Sequence, residues 1–137
     1  MGSWSAIDLS GTGLDMARLW LDTVSHNMSN LNTVRPSDEE PFRALLLEVQ
    51  EGTESISRAG GGVEVVGIRE NGAAPQLAYD PDNPLANDDG YVVQPVIDIT
   101  TQMTDLIIAT RMYQLNIQAM QSNQEAYESA LRIGNGR

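Results

Sequence analysis

Apolar residues recur at a regular spacing over residues 99–131, near the carboxyl end of the chain. Steps of four and three residues in alternation, starting from Ile99, place apolar or aromatic side chains at eight of ten positions. This row consists of Ile99, Met103, Leu106, Thr110, Tyr113, Ile117, Met120, Gln124, Tyr127 and Leu131. The spacing is that of a helix that packs lengthwise against another helix. We therefore predict one long carboxy-terminal helix over this segment.

A second row with similar spacing lies on roughly the opposite side of the same predicted helix. Its members are Ile108, Met112, Leu115, Ala119, Ser122, Ala126, Ser129 and Ile133. A helix that is apolar on two sides needs neighbours on both sides, and the apolar runs here are too short for a membrane span. The pattern favours packing between several chains, with burial inside a compact bundle as the alternative.

The amino-terminal region repeats this pattern and predicts a helix over residues 7–32. Its row consists of Ile7, Ser10, Leu14, Ala17, Leu21, Val24, Met28 and Leu31. Asparagines at positions 27, 30 and 32 follow, and their amides compete with the helix for backbone groups. We expect these amides to bond to neighbouring backbone at the end of the helix.

The segment between the two helices reads as short strands and turns. Strands are predicted at residues 42–49 and 63–68, with shorter ones at 76–79 and 91–93. Glycines 60–62 predict a turn, and Asn71-Gly72 predicts a hairpin. The predicted fold is mainly α, with long terminal helices paired as an antiparallel coiled coil around a small β-rich, loop-rich insert. Its parts are residues 1–34, 35–98 and 99–137.

Most of the negative charge of the chain lies in the insert between the two predicted helices. The chain carries 19 acidic residues against 8 arginines, a net charge of −11, and no lysine or cysteine. Residues 35–98 hold 13 acids and 4 arginines, hence 4 − 13 = −9. Such a balance disfavours nucleic acid and anionic lipid as partners, and the missing cysteine excludes disulfides. The amino terminus lacks the basic and apolar regions of a cleaved signal peptide.

No residue pattern indicates catalysis, a metal or a cofactor. The acidic loop near Gly90 invites a calcium site, but an EF-hand with Gly90 as its sixth residue has Leu85 at the first ligand position. His26 is the single histidine, which favours a packing or capping role over zinc binding or a catalytic triad. The glycine runs lack the lysine of a phosphate loop.

Several segments taken together resemble the flagellar basal-body rod and hook proteins. The clearest are AIDLSGTGL at residues 6–14 and SHNMSNLNT at 25–33, followed in order by shorter matches at residues 41–43, 62–68, 79–81, 90–92, 105–107, 109–111 and 130–134. His26 departs from the asparagine common there in the family, and Val96 replaces another asparagine. The short length is similar to that of the subunits of the proximal rod.

The resemblance implies a non-enzymatic structural subunit of the rod, the drive shaft that transmits torque and continues the export channel. Its partners would be itself, other rod proteins, the inner-membrane ring, the rod-adaptor protein and the flagellar type III export apparatus. It would lie in the periplasm-spanning rod, exported without a cleaved signal peptide. Another axial rod or hook subunit, a soluble acidic coiled-coil adaptor and an export chaperone remain alternatives.

The terminal helices would supply the assembly interface, with their inner rows paired and their outer faces against neighbouring subunits. The residues expected there are Leu14, Ala17, Leu21, Val24, Asn27, Met28, Asn30, Leu31, Asn32, Met103, Leu106, Ile108, Met112, Tyr113, Leu115, Ile117, Met120, Tyr127 and Leu131.

Overall fold

The computed structural model describes residues 2–52 and 61–136 and contains two helices and five strands. The elements in chain order are α1 (Gly2–Ser29), β1 (Arg35–Pro36), β2 (Leu45–Glu51), β3 (Val63–Glu70), β4 (Gln76–Tyr79), β5 (Tyr91–Gln94) and α2 (Ile99–Asn135). About half of the described residues are helical and about a fifth lie in strands. The prediction of two terminal helices around a β-containing insert is confirmed at this level.

The two helices pack side by side and run in opposite directions. Near the end of α1, the Asn27 side chain reaches Gln102 in the first turn of α2. Fourteen residues earlier, Gly13 lies against Asn116, which is fourteen residues further along α2. Equal steps in opposite senses along the two helices establish an antiparallel pair. Among the described residues, neither helix is long and apolar enough to cross a membrane.

The inner row predicted for α1 is right at every second position. Ser10, Ala17 and Val24 are buried as predicted. The positions between them were predicted as Leu14, Leu21 and Met28, but these side chains are only half-buried. Gly13 and Asn27, which precede Leu14 and Met28, are buried instead, whereas Trp20, which precedes Leu21, is half-buried like its neighbour. The interface therefore uses a glycine and an amide where the sequence favoured leucine and methionine.

The row predicted for α2 shows the same one-residue shift. Gln102 and Ala109 are buried, whereas the predicted Met103 is 52% exposed and Thr110 is exposed. The alternate predicted positions Leu106, Tyr113, Met120 and Tyr127 are half-buried. Counting apolar residues selected the wrong neighbour because small and amide side chains allow a closer approach of two backbones than Met or Ile does. The second predicted row of α2 is exposed except for half-buried Met112.

The insert folds as two separate antiparallel sheets. Strands β2 and β3 form a hairpin, with a register shift between Glu48 and Val49. The other sheet has the order β1-β5-β4. Asn71-Gly72 connects the two sheets, so the hairpin predicted at this dipeptide is wrong. Gly60 in the predicted triple-glycine turn lies outside the described residues.

The β2–β3 hairpin, rather than the three-stranded sheet, packs against α1. Thr12 of α1 accepts a hydrogen bond at its Oγ1 from the backbone N–H of Val63, at 3.3 Å. The adjoining Gly62 has a φ of +121°, and a Cβ there would lie 3.2 Å from the Thr12 hydroxyl. A side chain at this position would be both strained and crowded, so glycine allows β3 to begin beside the helix.

Replacing Gly13 with alanine tests the close approach of the two helices. A Cβ at this position would lie 2.8 Å from the Asn116 amide. We expect the substitution to lower the free energy of unfolding by about 1–3 kcal/mol, as overpacking does. Denaturant unfolding followed by far-UV circular dichroism measures the change.

Gly11→Ala is the matched control for this substitution. A Cβ on Gly11 meets nothing within 4 Å, so removing this helical glycine should raise stability by up to about 1 kcal/mol. Equal effects of the two substitutions would contradict the close packing of Gly13 on Asn116.

Candidate functional site

The Asn27 side chain joins α1, β2 and α2 at one buried point. It is 1% exposed. Its Nδ2 donates to the Leu45 carbonyl and to Gln102 Oε1, each at 2.9 Å. Its Oδ1 accepts from the Leu45 backbone N–H at 2.7 Å. The amide thus pairs with the edge of β2 as a neighbouring strand would, and so fixes the hairpin to the helix pair.

A cleft of about 440 Å³ opens beside this amide, between α1, β2 and α2. Apolar side chains form most of its walls, among them Met16 and Trp20 of α1, Leu47 of β2 and Met112 of α2. Asp105 is the one carboxylate of its lining, and it is half-buried. The cleft can therefore receive apolar side chains together with one positive charge.

The outward side of α2 carries an apolar surface without a partner in the described chain. Ile99, Met103 and Ile107 follow one another at intervals of four residues, and Ile107 is 62% exposed. Leu115 lies further along the helix and is 63% exposed. Arg111 interrupts this row between Ile107 and Leu115, and exposed apolar side chains grouped along one helix are typical of surfaces that contact another protein.

The residues predicted for the assembly interface fall into three groups. Ala17, Val24 and Asn27 are buried within the chain's own fold. Half-buried are Leu14, Leu21, Met28, Asn30, Leu31, Leu106, Met112, Tyr113, Ile117, Met120 and Tyr127. Exposed are Asn32, Met103, Ile108, Leu115 and Leu131. The first group packs inside the chain's own fold, and the last is exposed at its surface.

The predicted interface omits several residues that line the cleft, among them Trp20, Gln102 and Asp105. Gln102 and Asp105 lie beside the predicted row of α2, each one residue from a member of it. Their polarity removed them from an apolar pattern. The sequence offers one indication of their role, which is their position. Gln102 and Asp105 lie near the start of α2, and α1, the helix that pairs with α2, ends in asparagines.

The polar side chains of the acidic loop brace the loop itself. Asn87 Oδ1 accepts from the backbone N–H groups of Asp89 and Tyr91. Asn83 Nδ2 donates to Asp80. No group of three or more metal-binding side chains occurs among residues 2–52 and 61–136.

His26 packs edge-on against Phe42, with ring centroids 5.4 Å apart, as its predicted packing role requires.

Asp98 caps the amino terminus of α2. Its carboxylate accepts from the Thr101 hydroxyl and from the backbone N–H groups of Thr100 and Thr101. These hydrogen bonds, the Thr101 hydroxyl first, hold the pKa of Asp98 below its ordinary value. A carboxyl with a lowered pKa stabilises the folded state at pH above its unfolded-state pKa, and this contribution is lost as the pH falls through the folded pKa.

We therefore expect part of the stability of α2 to be lost on acidification below about pH 3.9, the ordinary pKa of aspartate. Asp98→Asn keeps a capping side chain but has no charge to titrate. Urea unfolding between pH 6 and pH 2.5 should show a smaller acid loss for Asp98→Asn than for the parent chain. Parallel pH profiles for the two chains would contradict the role of the Asp98 charge.

Comparison with known proteins places the same chain among flagellar proteins. The family model for the flagellar basal body rod FlgEFG protein C-terminal region matches residues 89–133. The flagellar basal-body rod protein FlgC of Bacillus subtilis is 33% identical, over 98% of this chain and 99% of the relative. FlgC of Salmonella typhimurium is 31% identical over the same shares. FlgC of Aquifex aeolicus is 34% identical over 93% of this chain and 94% of its own.

Proposed function

The chain belongs to the FlgC family of flagellar basal-body rod proteins, and we propose that it is a structural subunit of the rod. The observation that carries this proposal is the similarity to FlgC proteins over nearly the whole length of both chains. The exposed apolar side of α2 supports it, because a rod subunit needs surface for its neighbours. The proposed role is mechanical, with no catalytic step.

The helix pair is the part of the chain that we assign to assembly. We propose that α1 and α2 act as an antiparallel coiled coil whose inner face holds the subunit together and whose outer faces contact adjacent subunits. Fully burying one Leu, Ile or Met side chain is worth roughly 1.5–3 kcal/mol. Several such side chains on the outer side of α2 would favour assembly strongly once neighbours are present. Contacts between unlike surfaces that do not close into a ring build a helical rod.

The neighbours in this proposal are further copies of the chain and other rod proteins. We further propose contacts with the inner-membrane ring and the rod-adaptor protein at the base of the rod. The chain would reach its place through the flagellar export apparatus, and the assembled rod would cross the periplasm, transmit torque and continue the export channel. The acidic insert, with a net charge of −9 over residues 35–98, would remain solvated at the surface of the assembly.

Genetic replacement in the native bacterium tests this proposal. A strain lacking the gene should be non-motile and should regain swimming with a plasmid copy carrying a short epitope tag. Hook–basal bodies purified from the complemented strain should contain the tagged chain, detected by mass spectrometry. A motile deletion strain, or a tagged chain found in the cytoplasm and absent from basal bodies, would favour an adaptor or chaperone instead.

A further inference from the structure

The last residues of α2, 128–135, form a carboxy-terminal tail. Every described side chain from position 128 to position 134 is exposed, and Ile133 is 82% exposed. These eight residues are about 12 Å long at 1.5 Å per residue.

This tail differs in charge from the rest of the chain. Residues 128–135 hold one acid, Glu128, and one base, Arg132, so the tail is neutral, whereas residues 1–127 hold 18 acids and 6 arginines, hence 6 − 18 = −12. Arg132 lies between Leu131 and Ile133, so one positive charge is flanked by two exposed apolar side chains. The tail therefore presents exposed apolar surface on both sides of one positive charge, in contrast to the acidic remainder of the chain.

The cleft between α1, β2 and α2 has the complementary properties. Its walls are mostly apolar and include Met16, Trp20 and Leu47, and Asp105 is its one carboxylate. Apolar surface and a negative charge are thus presented together at the opposite half of the helix pair. Complementary charge favours encounter and fixes the register of two surfaces that bury apolar area.

The tail is unable to reach the cleft of its own chain. Leu131 lies 26 residues from Asp105 along one continuous helix, a distance of about 39 Å. A straight helix holds the two apart, so a tail that fills this cleft belongs to another molecule.

We propose that the tail of one copy of this chain binds in the cleft of the next copy. Leu131 and Ile133 contact the apolar walls, and Arg132 pairs with Asp105. Tail and cleft are different surfaces of one chain, so each copy has one free tail and one free cleft, and the contact extends in one direction. This inference rests on the proposed function, and it names the partner and the residues for one of the subunit contacts.

A charge exchange in the purified full-length chain tests the pairing. Sedimentation velocity over a concentration series measures self-association. Trp20 fluorescence, in a Trp4→Phe background that leaves it as the one tryptophan, reports whether the cleft is filled. Asp105→Arg alone and Arg132→Asp alone should each weaken self-association on the order of tenfold or more. Filling of the cleft in the parent chain should shift the Trp20 emission to shorter wavelength as the concentration rises.

The decisive samples combine the two exchanges. The double variant Asp105→Arg, Arg132→Asp should associate as the parent chain does. An equimolar mixture of the two single variants should also associate, since each tail then meets a cleft of opposite charge. Arg111→Asp places the same charge change elsewhere on α2, and its effect should not be reversed by Asp105→Arg.

Three results would overturn the inference: a parent chain that stays monomeric at every concentration, single variants that associate normally, or a double variant that fails to recover. Ile133→Asp gives an independent measurement, because it should abolish the concentration-dependent shift of Trp20 emission without changing far-UV circular dichroism. If the tagged chain is present in basal bodies but the charge-exchange experiment gives one of these three results, only the tail–cleft contact is rejected. Its absence from basal bodies would reject the proposed function.

Discussion

Replacing Asn27 with alanine should lower the free energy of unfolding by about 3 kcal/mol or more, a large part of the roughly 5–15 kcal/mol of a typical domain. The substitution removes the hydrogen bonds to both backbone groups of Leu45 and to the Gln102 side chain. Each buried group left without a partner costs about 1–3 kcal/mol. The hairpin and α2 should both loosen from α1, because the same amide holds them.

Denaturant unfolding by circular dichroism, together with hydrogen exchange at Leu45, measures this effect. Asn30→Ala is the matched control, because Asn30 directly follows α1 but is only half-buried. Its Nδ2 donates to His26 and Ser29 in exposed hydrogen bonds, and its Oδ1 accepts from the Thr33 hydroxyl. Its loss should be within about 0.5 kcal/mol, as for most surface substitutions. If both variants lose equal stability, the joining role of Asn27 is wrong.

Replacing Leu115 with aspartate should abolish swimming and remove the chain from purified basal bodies, while the isolated chain keeps its stability. Leu115 is 63% exposed on the outward side of α2, so its side chain contributes little to the fold of the single subunit. In the proposed rod this position faces a neighbouring subunit. An uncompensated charge buried at such a contact costs several kcal/mol, which is enough to prevent a weak, repeated contact from forming.

Gln118→Asp adds the same charge three residues further along α2, at an exposed polar position. We expect this variant to swim, because it removes no apolar surface. Swarm-plate diameter, basal-body composition and the urea midpoint of the purified chain should be measured for both variants. Normal swimming by Leu115→Asp cells would place the assembly contact elsewhere on the subunit, whereas an unfolded Leu115→Asp chain would assign Leu115 to the core.

The asparagine-rich end of α1 shows how much of the structure can be predicted from local sequence. The small polar residues from His26 onward predicted backbone-bonding amides, and the structure confirms this for Asn27 and Asn30. The predicted end at residue 32 is three residues late, because Asn30 Nδ2 donates to the His26 carbonyl in the last turn. Local hydrogen bonding of this kind depends on near neighbours, so sequence gives its chemistry and misses only its exact residue.

The sequence by itself determined the two terminal helices, four of the five strands (all but β1), the distribution of charge and the family. These depend on apolar periodicity, composition and motifs, which are all local or additive properties of the chain. Tertiary structure alone decided which side of each helix is inside. Gly13, Asn27, Gln102 and Ala109 occupy the buried positions, because close backbone approach and paired amides outweigh the burial of one more bulky side chain. That choice leaves Met103 and Leu115 exposed at the surface of the chain.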